Sequence, residues 1–241
     1  MHTFINHTII WYFGCCTGSF LMIIGTRIPL KESIITPRSH CSSCKKQLYL
    51  WQLLPVFSYF LSQGRCIFCS TKFSPLYPLM EIFTGFGYLI SYLCFRHQNL
   101  SFSIALLLIT FATIFIVSDC FYYILPNSLM LLFFLVSFFM RLGEFQTAFM
   151  GGTTLAFLLF FIALLVPEGM GGGDIKLAGI IGWLLGFQLG LLALMAACLL
   201  AFSYFFLLFI WKKDTKTTSI PFAPFIFFGT ICVYFFNFWL I

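Results

Sequence analysis

The sequence predicts an all-α fold: a polytopic helical membrane bundle of about eight spans carrying a small cytoplasmic zinc-ribbon-like module. Three observations predict it. Of 241 residues, 61% are apolar and only 8% charged, where soluble domains average about 45–50% apolar and about 25% charged. Apolar runs near 8–25, 77–95, 100–117, 124–140, 148–166, 175–211 and 221–240 are close to the roughly 20 residues needed to cross a hydrocarbon core. The one long polar stretch, 27–75, holds two C-x2-C pairs.

The first run, within 1–26, is expected to remain as a transmembrane helix. No Lys or Arg precedes Arg27, and no small-residue cleavage site is present. Residues 27–75 form the loop module and 76–241 the bundle. The run 175–211 is too long for one pass, since about 37 helical residues would reach roughly 55 Å. It is expected to split near Gly186–Gly190, which gives eight spans. No repeat of fixed period is present.

The net charge is +6, but the bases sit in loops between apolar runs. That distribution sets membrane orientation and excludes a nucleic-acid-binding face. Arg27, Lys31, Arg38, Lys45, Lys46, Arg65 and Lys72 all fall in 27–75, so this loop is cytoplasmic. Alternating passes then bring Asp119, the turn 167–174 and the basic run 212–216 to the same side, and leave both termini outside.

Ten cysteines form two populations. Cys15, Cys16, Cys94, Cys120, Cys198 and Cys232 lie in or beside apolar runs, where a thiol behaves as a small hydrophobe. Cys41, Cys44, Cys66 and Cys69 are two knuckles separated by 21 residues, a pattern that completes a tetrahedral zinc shell. Four protein ligands close the shell, so the metal is structural. The apolar stretch Trp51 to Leu61 is expected to rest on the membrane or the other helices.

Only seven acids occur in the chain. Glu32, Glu144 and Asp214 lie in polar loops and read as solvated charges. Asp119 ends one apolar run. Asp174 ends the turn Gly169-Met170-Gly171-Gly172-Gly173-Asp174, and an ionisable group at a membrane boundary is a functional candidate. Gly171, Gly172 and Gly173 are expected to bend with positive φ and to allow close approach of an extended peptide. Two carboxylates at one depth can hydrolyse a peptide if one takes a proton from water and the other polarises the carbonyl. Asp174 begins a helix and Asp119 closes one, so the helix dipole predicts Asp174 as base and Asp119 as acid. Glu81 lies one turn into the second span and Glu168 beside the Gly-rich turn. For Glu81 the readings are a snorkelling or capping acid, or a contact to substrate or to a methyl-transfer site. For Lys176 they are an interfacial anchor or a partner for an acid.

These residues fall into segments that resemble the type IV prepilin peptidases, a family of GxGD aspartyl proteases. The segments are Gly18-Ser19-Phe20 through Pro29, Arg38 to Cys44, Gly64 to Cys69, Tyr77-Pro78-Leu79-Met80-Glu81, Asp119 with Leu125-Pro126, and Gly169 to Lys176. They occur in the family order and cover nearly the whole chain. The resemblance implies a bacterial cytoplasmic-membrane enzyme that cuts prepilin or pseudopilin leaders after a glycine, just before the apolar helix of the substrate, on the cytoplasmic face. It implies Asp119 and Asp174 as the catalytic pair. Many members also methylate the new amino terminus with S-adenosylmethionine. The compact form is similar to the competence-pseudopilin branch of Gram-positive bacteria.

Two positions depart from the family pattern: Met22 stands where Asn is usual, and Asn127 where Leu-Pro-Asp is usual. The first region is linked with methyl transfer, so Met22 leaves open whether this chain also methylates the new amino terminus with S-adenosylmethionine. The residues alone leave other classes open. A proton-coupled transporter would put its acids near the midplane, a non-catalytic scaffold would leave the GxGD turn unexplained, and a GxGD intramembrane protease for other substrates would share the chemistry.

Overall fold

The computed structural model describes residues 2–165, 170–211 and 220–240. Among them lie eight long helices and one short one. The order is α1 (His2–Arg27), the short α2 (Phe57–Leu61), α3 (Leu76–Phe95), α4 (Asn99–Tyr122), α5 (Asn127–Met140), α6 (Phe145–Leu165), α7 (Gly172–Leu185), α8 (Phe187–Trp211) and α9 (Ala223–Leu240). No strand occurs among the described residues beyond two isolated bridges in the loop module. The chain is a multi-pass membrane protein.

The eight helices match the expected spans in number, but not all in length. Five are long and apolar enough to cross a bilayer. α5 and α7 have 14 residues each and α9 has 18, and 14 residues cover only about 21 Å. Their ends have local causes. Pro126 sets the start of α5, as proline fixes φ and lacks an N–H. α7 stops at Gly186, whose φ of +80° is open to glycine and costly for other residues. This is the break expected inside 175–211.

The chain divides into two compact units. One comprises 1–102 with 109–117, and the other 103–108 with 118–241. In the first, α1 lies along α3. A Cβ on Gly14 would come within 2.8 Å of the Gly85 Cα, so both backbones are glycine at their crossing and side chains would force them apart. Thr84 and Thr113 hydroxyls pair at 2.9 Å in the buried interior, and Met22 is 1% exposed.

In the second unit α7 is the most enclosed helix, with Leu177, Ala178 and the stretch Ile180–Leu185 buried. It crosses α6 closely. A Cβ on Gly151 would meet the Gly182 carbonyl and sit 2.6 Å from the Gly186 carbonyl carbon. Small residues permit such crossings, which drive helix association where lipid removes the hydrophobic incentive. Arg141 and Glu144 form an ion pair of 3.0 Å at the α5–α6 turn, so Glu144 is paired as well as solvated.

Contacts within this unit also test the count of passes. The Ala223 N–H at the start of α9 donates to Asp119 at the end of α4, at 3.0 Å. Those two ends share a level only if the passes between them are even in number. α5, α6, α7 and α8 make four, as the split of 175–211 requires.

Candidate functional site

The first candidate site is the cysteine module. The two knuckles adopt one backbone pattern. Lys45 N–H donates to the Cys41 carbonyl at 2.9 Å and Cys41 N–H to Lys46 at 3.0 Å; Ser70 N–H donates to Cys66 at 2.8 Å and Cys66 N–H to Thr71 at 2.9 Å. Lys45 and Ser70 have φ of +58° and +57°, and the bridges His40–Gln47 and Arg65–Lys72 close the two turns. Backbone N–H groups of Lys46 and Thr71 point at the sulfurs of Cys44 and Cys69. The Thr71 hydroxyl and N–H hold the Cys69 thiol down at about 6, which favours the thiolate that a metal binds.

Ligand atoms of all four cysteines lie within 4.8 Å of one another. Cys41 and Cys69 sulfurs are 3.7 Å apart, and Cys44 and Cys66 sulfurs 4.0 Å. A tetrahedral zinc with Zn–S of about 2.3 Å sets sulfurs about 3.8 Å apart. The residues therefore fit a structural zinc ion. Phe68 of the second knuckle sits 5.0 Å under the Lys46 ammonium and 5.6 Å from Tyr49, which ties the two halves together.

Glu81 is drawn into this unit rather than lying open. It is 8% exposed and accepts the Val56 N–H at 2.7 Å, with a further hydrogen bond from Ser19. Val56 has φ +65°, a genuine outlier for a β-branched residue. The carboxylate thus fastens a strained turn of the loop module to α1 and α3. Of the stretch Trp51 to Leu61, only Pro55 and Val56 are buried. Phe60 and Leu61 are strongly exposed, so the stretch does not pack broadly on the unit's helices. Glu81→Ala leaves the Val56 N–H buried without its acceptor. A loss of about 1–3 kcal/mol is expected, read as a lower Tm in detergent micelles.

The second candidate site lies in the other unit. Asp119, 7% exposed, is three residues from the end of α4. It accepts N–H groups from both Ala223 and Phe222. Asp174 stands in the first turn of α7, where its N–H donates to the Gly171 carbonyl at 3.1 Å and the Gly171 N–H donates to its carboxylate. The two acids are close enough that the charge of Asp119 acts on Asp174.

Two expectations change here. Helix ends were expected to separate the acids, yet the Asp119 carboxylate caps the N-terminus of α9. Both carboxylates therefore sit at positive helix ends, and the dipole does not assign base and acid. The glycines also act differently. Gly171 has φ −76° and ψ 146°, and the positive-φ glycines among the described residues are Gly64 and Gly186. Gly171, Gly172 and Gly173 therefore adopt no left-handed conformation. Gly173 is instead a place of close approach, since a Cβ there would come 3.1 Å from Leu125. A Cβ on Gly172 would meet nothing within 4 Å among the described residues.

Lys176 donates to Asn127 Oδ1 at 2.9 Å, so its partner is an amide and not an acid. With the Gly173–Leu125 approach, this bond fastens the start of α7 to the start of α5. Glu168, Gly169 and the run 212–216 lie outside the described residues. The groups that sequence reasoning missed are the backbone amides of Phe222 and Ala223. A backbone donor leaves no residue signature.

The comparisons with known proteins agree with this division. A domain described as the bacterial peptidase A24 N-terminal domain matches residues 12–95, which contain the four cysteines and Glu81. The type IV leader peptidase family matches residues 106–206, which contain both aspartates. A prepilin leader peptidase/N-methyltransferase of Bacillus subtilis (strain 168) is 31% identical over 94% of this chain and 93% of its own length. One of Neisseria gonorrhoeae is 31% identical over 72% of each chain, and one of Myxococcus xanthus is 32% identical over 70% of this chain and 53% of its own. No solved structure matches. The chain is a membrane protease and belongs to the type IV leader peptidase family.

Proposed function

We propose that the protein cuts the leader peptide of type IV prepilins or pseudopilins at the cytoplasmic face of the bacterial inner membrane, with Asp119 and Asp174 as the catalytic pair. The observation that carries this reading is that two acids, 55 positions apart in the sequence, stand in the second unit near enough for the charge of Asp119 to act on Asp174. The extended peptide lies along the backbone at Gly171 and Gly172, where neither residue projects a side chain toward it. One carboxylate takes a proton from the attacking water while the other, protonated, donates to the scissile carbonyl. Two acids that act on one water share its proton as a unit. Asp119 is held by two backbone N–H groups and Asp174 by one, so neither rotates away from the water between them.

The bias of Lys and Arg to 27–75 supports the cytoplasmic placement. The position of both acids at helix ends supports a peptidase over a proton-coupled transporter, whose acids sit at the midplane. Zinc supplies rigidity to the module and takes no part in hydrolysis. The names of the relatives add an N-methyltransferase activity, for which S-adenosylmethionine would be the methyl donor, but Met22 is apolar and 1% exposed where the family pattern has Asn. Hydrolysis is therefore the activity assigned here.

The test is to incubate the purified protein with a prepilin-like peptide and S-adenosylmethionine, then weigh the products. Leader and mature fragments at the expected masses support the reading; an intact peptide ends it. A mature fragment heavier by one methyl group would add the second activity. Ala223→Pro supplies a finer check, since proline is tolerated at the first helical position and removes one N–H from Asp119. A hydrogen bond to a charged group contributes about 1.5–3 kcal/mol, so cleavage should fall about tenfold to a hundredfold with the helix content unchanged.

A further inference from the structure

A cleft of about 660 Å³ runs between α5, α6 and α7. Its head is polar, formed by Asn127 and Lys176, and its body is apolar as far as Trp183. Along α7 the distance from Lys176 to Trp183 is seven residues, about 10.5 Å, or roughly two helical turns. Leu131 and Thr153, which line it, are exposed, so the cleft opens sideways toward lipid.

We propose that this cleft seats an apolar, membrane-spanning segment of the substrate that flanks the scissile bond; this rests on the peptidase reading above. Continuity along the chain supports it. Ile175 and Lys176 line the cleft and directly follow Asp174 in the chain, so a peptide leaving the aspartate pair meets the head of the cleft first. The polar head suits the stretch where that peptide is still extended and its amides need partners. The apolar body suits the turns that follow, once the amides are bonded within a helix. A lipid acyl chain would use the body but has no use for a hydrogen-bonding head beside the acids. Gly152, Ala156 and Gly179 let α6 and α7 approach closely and put little side-chain bulk into the groove.

The test compares two substrates in proteoliposomes: one anchored by its apolar segment, and a soluble peptide spanning the same bond without that segment. The readout is the ratio of their kcat/KM values. Thr153→Trp fills the cleft from an exposed position, and the ratio should fall at least tenfold. Phe157→Trp, on the same helix but away from the cleft, should leave it unchanged. An unchanged ratio in Thr153→Trp overturns the proposal. Wild-type protein cleaving neither substrate defeats the peptidase reading instead, so the two failures are distinct. Should Thr153→Trp not fold, a benzoylphenylalanine photocrosslinker at Leu131 in the Asp174→Asn protein replaces it. An adduct with the anchored substrate supports the proposal, and adducts only with lipid or with a second copy overturn it.

Discussion

Asp119→Asn or Asp174→Asn lowers peptide hydrolysis by about a hundredfold to ten-thousandfold, the range that general acid–base groups supply. The expectation is chemical rather than structural. In Asp119→Asn the side chain keeps an oxygen for the Ala223 N–H, and in Asp174→Asn it keeps one for the Gly171 N–H, so both variants should insert and melt as the parent does. What each loses is the proton that the pair passes between water and carbonyl. On the proposed pairing the acids work as one unit, so the double variant should be no slower than either single one. Product masses over time, with Tm measured alongside, decide the matter. Near-parent activity in one variant removes that residue from the mechanism, and losses that multiply in the double variant remove the coupling.

Zinc removal should unfold the loop module while leaving the helices standing. The module has little apolar interior, since among its described residues burial is confined to Cys41, Pro55, Val56, Gly64 and Cys66. Such a segment depends on its metal, which contributes about 10–16 kcal/mol in zinc-finger peptides at pH 7. The protein should contain one zinc per chain. Chelation, or Cys41→Ser with Cys66→Ser, should speed tryptic cleavage at Lys45, Arg65 and Lys72 by an order of magnitude or more, with far-UV ellipticity nearly unchanged. Ser42→Ala, between two ligands, should behave as the parent. Metal-free protein that resists trypsin as well as the holo form would refute the structural role.

Much of this was legible from residues, and the gaps have physical reasons. Spans follow from apolar runs, because an uncharged stretch of about 20 residues has few soluble fates. The break at Gly186 was readable from length alone. The ends of α5 and α7 were not, since hydropathy continues past the point where a backbone angle stops a helix. Cysteine pairs announced the metal site, while the matched backbone turns around them left only those pairs as a trace. Asp119 and Asp174 stood out because acids are scarce here, but their surroundings did not. Dipoles could be read only for the helices that carry the acids, and the helix that Asp119 caps begins 104 positions later. Glu81 showed the same limit. Its partner is the backbone N–H of Val56, so no side chain in the sequence pointed to it.

The family match ends at residue 206, yet the amides that hold Asp119 come from Phe222 and Ala223. A fragment trimmed to the recognisable region would keep both acids and lose the clamp on one of them. The boundary of the matched domain thus falls short of the residues that hold Asp119.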